Sequence, residues 1–311
     1  MALQASGQIK YSEIITEFGT PNSGGLGEYR VSENVGSLSN LPLDTGVPQS
    51  GQIKFSDFYS KRLNQVVDLH SIGNSTARQD AKDRWNNGNV HIVGSSKTGK
   101  TQPPDTQDDR VIINVNNTIR SAKGTQTHCA LRTGTWDSGT ILEIEIGTSG
   151  KLYGSGGDGG TGGSANNGSG GNGQTGSSAL GIQYACTVNN LGVIQSGYGG
   201  GGGAGSPAGN GGVSPQNAFG GGTNGSNGQA GSLSGQATGG LGGNYGADGG
   251  DSSPVNNSAT KGDDGEVDNS TGGHGTGGSN GYAIVTNQGS APSISGGGSI
   301  TGRTATSTNP T

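Results

Sequence analysis

The first sixty residues carry apolar positions in short bursts, and two of these bursts are near copies of one another. Ser6-Gly7-Gln8-Ile9-Lys10-Tyr11-Ser12-Glu13-Ile14 returns as Ser50-Gly51-Gln52-Ile53-Lys54-Phe55-Ser56-Asp57-Phe58. In each copy the alternation of Ile9 with Tyr11, or Ile53 with Phe55, predicts a short strand. The serine and acid that follow predict an N-cap with a carboxylate in the first helical turn. Ile14, Ile15 and Phe18 then line one face, and Gly19 ends the turn. A fainter third copy stands at Leu26-Gly27-Glu28-Tyr29. Units this short bury little core on their own, so residues 1–63 read as an anchor. Its candidate attachment residues are Ile9, Tyr11, Ile14, Phe18, Ile53, Phe55, Phe58 and Tyr59; one small packed domain with a chance echo is the alternative.

Residues 64–153 change to the pattern of a β-rich domain. A helix is predicted over 76–85, ended by Asn86-Asn87-Gly88. Short β-branched segments follow at 90–93, 111–115, 129–132, 141–146 and 151–153, separated by Gly, Asn and Thr-rich turns, as in an all-β domain. Trp85 and Trp136 read as core anchors rather than ligand platforms.

From residue 154 to the end the pattern changes again. Glycine supplies about a third of residues 154–281, and it falls on every third position at Gly154/157/160/163, Gly222/225/228/231, Gly240/243/246/249 and Gly272/275/278/281. A three-residue period matches the polyproline II helix, whose backbone bonds outward to neighbours. Glycine at every third residue leaves one face bare, so such helices can pack closely. Collagen is excluded by the interrupted triplet and by only 10 prolines. A glycine-serine linker is the competing reading, but strands at 180–184, 193–194 and 282–285 have no place in a linker. A strand, a turn glycine, a second strand and a glycine run recur as one unit. The expected fold is mainly β with a polyglycine-II helix bundle: a small N-terminal repeat module (1–63), a central β domain (64–153) and a C-terminal glycine-rich domain (154–311).

Composition sharpens this. Of 311 residues 68 are glycine, and the apolar fraction is only 26%, which argues against the core of an ordinary enzyme of this length. A net charge of −5 without any basic run argues against a nucleic-acid partner. The N-terminus lacks the pattern of a signal peptide, and no apolar run approaches the roughly 20 residues that span a bilayer. Two cysteines, Cys129 and Cys186, are too few for a disulfide framework. Gly94-Ser95-Ser96-Lys97-Thr98-Gly99-Lys100-Thr101 fits the phosphate-loop spacing, yet Pro103 and Pro104 forbid the helix that such a site requires. His70, His91, His128 and His274 show no metal-ligand spacing, and the acidic run at 263–268 lacks the spacing of a calcium loop. No catalytic residue, metal or cofactor is expected.

Several ordered segments carry a family resemblance: the two Ser-Gly-Gln-Ile-Lys copies, Arg84-Trp85-Asn86, Ala130-Leu131-Arg132-Thr133-Gly134-Thr135-Trp136, Ala179-Leu180-Gly181-Ile182-Gln183-Tyr184-Ala185 and Ser299-Ile300-Thr301-Gly302. Together they resemble the glycine-rich virion proteins of tailed bacteriophages, marine cyanophages among them. The glycine-rich region is similar in architecture to the tail-fibre tip adhesins of T-even-like phages. The resemblance implies a non-enzymatic protein of a tail or neck appendage. It would be held by other tail, baseplate or neck proteins and would bind a host outer-membrane protein or glycan; a homotrimer is compatible with it. Residues between the glycine runs are the candidates for receptor contact: Tyr198, Gln216, Asn217, Phe219, Tyr245, Asp251, Asn256, Asn257 and Lys261. A purely structural neck, baseplate or tail part without a receptor is the alternative.

Overall fold

The computed structural model describes residues 2–73, 75, 78–122, 125–160, 171–200, 276–287 and 292–305. The N-terminal part runs α1 (Tyr11–Phe18), a 3₁₀ turn (Leu26–Tyr29), the hairpin β1 (Glu33–Val35) and β2 (Leu38–Leu41), and a second 3₁₀ turn (Phe55–Phe58). The rest is almost all strand. It comprises β3 (Asn64–Asp68), β4 (Gln79–Asp80), α2 (Ala81–Asn86), β5 (His91–Ile92), α3 (Ser95–Thr98), β6 (Arg110–Val115), β7 (Thr118–Arg120), β8 (Cys129–Arg132), β9 (Ile141–Ile146) and β10 (Lys151–Tyr153). Then come β11 (Ser178–Ile182), β12 (Cys186–Asn190), β13 (Val193–Gln195), β14 (Tyr282–Thr286), β15 (Ser293–Ser295), β16 (Ser299–Thr301) and β17 (Arg303–Ala305). No helix among the described residues is long and apolar enough to cross a membrane.

The strands wind into a three-faced parallel coil, a β-solenoid in which each rung contributes one strand per face. One face is the sheet β15-β12-β9-β6-β3, the second β16-β13-β10-β7, and the third β17-β14-β11-β8-β4. Ser75 bridges to Ile119 and stands on the second face in the first rung. Every pairing within these faces is parallel; β5, antiparallel on β3, closes the outer edge of the first. Strands on both sides of residue 154 therefore share the same sheets.

Register stacks like on like. Val67, Ile113, Ile144, Val188 and Ile294 form one continuous ladder on the first face. Ile119, Leu152, Ile194 and Ile300 form the second, and Leu131, Leu180 and Ile284 the third. All but the last-rung members Ile294 (43% exposed) and Ile300 (39%) are buried, and they make one core. Both cysteines are buried and unpaired, and burial pushes their thiols up to about 12.

The first rung is plugged by α2, whose Asp80 N-cap accepts from the Asp83 amide at 3.0 Å. That cap starts the helix at Ala81, later than the expected 76. Trp85 enters the core edge-on to Trp136, centroids 6.2 Å apart, and its indole donates to Gln65 Oε1 at 2.6 Å. Lys82 Nζ lies 4.1 and 4.7 Å from the two ring centres and 3.3 Å from Asp137.

The duplicated N-terminal segments share one cap but form no strand: residues 8–10 and 52–54 are irregular, and the chain enters helical turns at Tyr11 and Phe55, the very residues expected to alternate in strands. The acid reaches back to the lysine amide: Glu13 Oε2 accepts from Lys10 N–H and Asp57 Oδ2 from Lys54 N–H, each at 2.7 Å. Lysine is thus the N-cap residue in both copies, and the expected serine caps are not formed. A carboxylate on the third helical residue is well placed for this contact. Three aromatics turn inward together: Phe18 at the end of α1, Tyr29 of the third copy and Phe58 of the second meet with centroids 5.4–6.2 Å apart and no exposed surface. Their cluster includes Val66, Ile92, Val93 and Ile112, so the module is docked on the solenoid itself.

Two outcomes are expected. Ile144→Ala, in the middle of the longest ladder, should cost about 2–5 kcal/mol in denaturant unfolding. The Asp137 carboxyl is held down at about 2, against an ordinary 3.8, by the Thr106 hydroxyl and amide and then by Lys82. A depressed folded value means the contribution is complete above the unfolded value and is lost as pH falls through about 2. Thermal melts between pH 5 and 2 should therefore fall less steeply for Asp137→Asn than for the native chain.

Candidate functional site

Each rung turns from the second face to the third at the same corner, and that corner is where the chain is extended. In the second rung the connection is 121–128, in the third 154–177 and in the fourth 196–281; in the last, Gly302 alone separates β16 from β17. Four described segments leave or re-enter there: 154–160, 171–177, 196–200 and 276–281.

Their backbone bonds recur at a stride of three. Gly154 and Gly157 donate to Gln195 and Tyr198 at 2.8 and 2.7 Å. Gln174 and Ser177 donate to Asp158 and Ser155, Gly197 and Gly200 to Ser177 and Gln174, and Gly278 and Gly281 to Gly200 and Gly197. Gly173 and Gly176 complete the set with Thr276 and Ser279. Segments 171–177 and 196–200 thereby each bond to all three of the others, whereas a strand in a sheet bonds to two neighbours at a stride of two. The arrangement is a close-packed rhombus of four extended segments.

Glycine is required by the distance between backbones. A Cβ on Gly157 would sit 1.9 Å from the Gln174 carbonyl oxygen, on Gly200 2.1 Å from that of Asp158, and on Gly281 1.9 Å from that of Ser177. The obstacles are main-chain atoms fixed by the same bonds, so they cannot swing away.

Side chains fasten the segments to the corner. Ser155 N–H donates to Ser121 Oγ at 2.9 Å and Ser177 Oγ to the Ala122 carbonyl at 2.8 Å. Ser178 Oγ donates to the Gln126 carbonyl and accepts from Tyr282 N–H. Asn280 is held from two sides, its carbonyl accepting from Gln126 Nε2 (2.5 Å) and Arg303 Nη2 (2.7 Å), while its Oδ1 accepts from Gly199 N–H at 2.9 Å. None of these residues stands out in the sequence, because serine and asparagine beside glycine look like turn material.

Of the residues expected at a receptor surface, Tyr198 is fully buried and its hydroxyl accepts from Gln195 Nε2 at 3.0 Å. It packs the root of the segments and cannot touch a receptor from there; an aromatic beside glycine filled the space that glycine leaves. Gln216, Asn217, Phe219, Tyr245, Asp251, Asn256, Asn257 and Lys261 lie outside the described residues, as does the acidic run at 263–268.

The expected attachment residues divide in two. Ile9, Ile14, Phe18 and Phe58 are buried and hold the module together, so they offer no surface to a partner. Phe55 is 41% exposed and stacks edge-on with Tyr11 at 6.4 Å, and Ile53 and Tyr59 are half-buried beside the same core. Within the phosphate-loop spacing, Lys97 and Lys100 spend their ammonium groups on the carbonyls of Arg30 (2.9 Å) and Thr16 (2.6 Å). No group of metal-binding side chains occurs among the described residues.

The glycine geometry makes a sharp prediction. Gly157→Ala or Gly200→Ala should destabilise the chain by more than about 2 kcal/mol, the scale of forced overpacking. Gly297→Ala, whose Cβ meets nothing within 4 Å, should leave the melt unchanged.

Comparison with curated proteins and with solved structures finds no match. The family model described as phage tail fibre adhesin Gp38 matches residues 81–305. That span begins at the solenoid plug, takes in the extended corner and ends at the last strand. It covers more than two thirds of the chain, which belongs to the family of phage tail fibre adhesins.

Proposed function

We propose that this chain is a tail-tip adhesin that joins the virion through residues 1–63 and binds a host cell-surface receptor through the glycine-rich region. The observation that carries this reading is the rhombus at the corner of the solenoid. Backbone bonds at a stride of three, several bonded neighbours per segment and glycine at the crowded positions are the attributes of packed polyglycine-II helices. Such packing gives the connections a fixed root, and a fixed root lowers the ordering cost of binding. Receptor contact falls to the side chains carried between the segments, with Gln216, Asn217, Phe219, Tyr245, Asp251, Asn256, Asn257 and Lys261 as candidates and an outer-membrane protein or glycan as the receptor. On the virion side the exposed Phe55, with the half-buried Tyr11, Ile53 and Tyr59 beside it, is the apolar surface that a tail protein would cover.

Gly278 N–H donates to the Gly200 carbonyl at 2.7 Å, so residues 201–275 can be replaced by a short turn without breaking the solenoid. The labelled full chain should bind host cells saturably and block phage adsorption, and the shortened chain should do neither. Equal binding by both would move the receptor site elsewhere, and binding by neither would leave a structural role in the tail. Phe55→Asp should lower incorporation into particles at least about tenfold, as expected for a lost interface anchor, while cell binding by the free chain stays unchanged.

A further inference from the structure

At the opposite end of the solenoid from its last rung, beside the plug, lies a cavity of about 390 Å³ lined by polar side chains of β4, α2, the turn after it and β8. Three arginines, Arg78, Arg84 and Arg132, line it. Arg132 Nη2 is committed to Asp80 at 2.8 Å, and Asp80 also caps α2. Arg84 is different: its Nε is buried and has no hydrogen-bond partner among the described residues. A buried guanidinium N–H without an acceptor is costly; since the Nε itself has essentially no accessible surface, a ligand in the cavity meets this guanidinium through its terminal nitrogens. With Arg132 and Asp80 neutralising one another, Arg78 and Arg84 face only Asp83, a surplus of one positive charge.

We propose that this cavity binds the carboxylate-bearing ring of an acidic sugar of the uronic acid type. The guanidinium groups of Arg84 and Arg78 take the carboxylate, for which the planar fork of arginine is suited. Asn87, Asn89 and Asp83, all on the lining, supply donors and acceptors for ring hydroxyls. A surplus of one charge matches a monoanion better than a phosphate ester, which carries about −1.5 to −2. The volume lies within the range of small-molecule sites, about 300–1,000 Å³, and the amides would be superfluous to an acidic side chain inserted alone. The site is on the first rung, whereas the glycine-rich segments leave from the third and fourth, so it is separate from the receptor surface proposed above.

Calorimetric titration of the full chain with sodium glucuronate, glucose, acetate and inorganic phosphate tests this. Glucuronate should bind saturably at one site, with each of the other three weaker by at least about tenfold, the scale of one charge-assisted hydrogen bond. Arg84→Gln should weaken glucuronate by a similar factor. Arg78→Gln, at an exposed position where folding is not at stake, should do the same with an unchanged melt. Acetate binding as tightly as glucuronate would show a bare carboxylate site, and tighter phosphate would show a phosphate site; either overturns the sugar. Absence of saturation, or glucuronate binding indifferent to Arg78→Gln, overturns the site.

Discussion

Parallel stacking in register constrains everything else in this molecule. Adjacent strands sit about 4.8 Å apart, so each rung must place its apolar side chains directly over those below. Val67, Ile113, Ile144 and Val188 meet that condition on one face, and Ile119, Leu152 and Ile194 on the next. The outward positions of the same strands carry a second message. They are apolar at Val66 and Ile112, where the N-terminal module covers them, and polar at Glu143, Glu145 and Asn189, where it does not. The module and the solenoid are therefore one packing problem, joined by a cluster to which both contribute.

The corner follows from the same constraint taken to its limit. A connection may be any length provided that its ends return to adjacent points, and the glycine segments do so by bonding to each other. Ordering glycine is expensive in backbone entropy. Here each segment recovers backbone hydrogen bonds with several neighbours, and close approach lets short polar side chains such as Ser121, Ser177 and Asn280 tie the root down.

Local order was legible in the sequence and global order was not. The strands Cys129–Arg132, Ile141–Ile146 and Lys151–Tyr153 stand where short apolar segments between turns predict them, and Ile141–Ile146 is long enough to show the two-residue period. The repeat of strand, turn glycine, strand and glycine run corresponds to the first two faces of the third and fourth rungs, β9–β10 and β12–β13, with the corner that follows. The coil stayed hidden because equivalent residues recur at unequal intervals, 67, 113, 144 and 188, once connections of different length intervene. The tryptophans read correctly as core. Tyr198 did not, since exposure depends on which backbone lies opposite and no local pattern records that. The arginine cavity was equally invisible: Arg78, Arg84 and Arg132 are scattered in the chain and meet only when β8 stacks on β4.

Placing the extensions at a single corner has a consequence for variation between phages. Residues 201–275 can be exchanged, lengthened or recombined as a cassette, because the pairing of β13 with β10 and of β14 with β11, and the Gly278–Gly200 bond, are all made by residues outside that stretch. On the reading proposed above, a lineage can thus change the connection that would meet the host while inheriting the stacked strands intact.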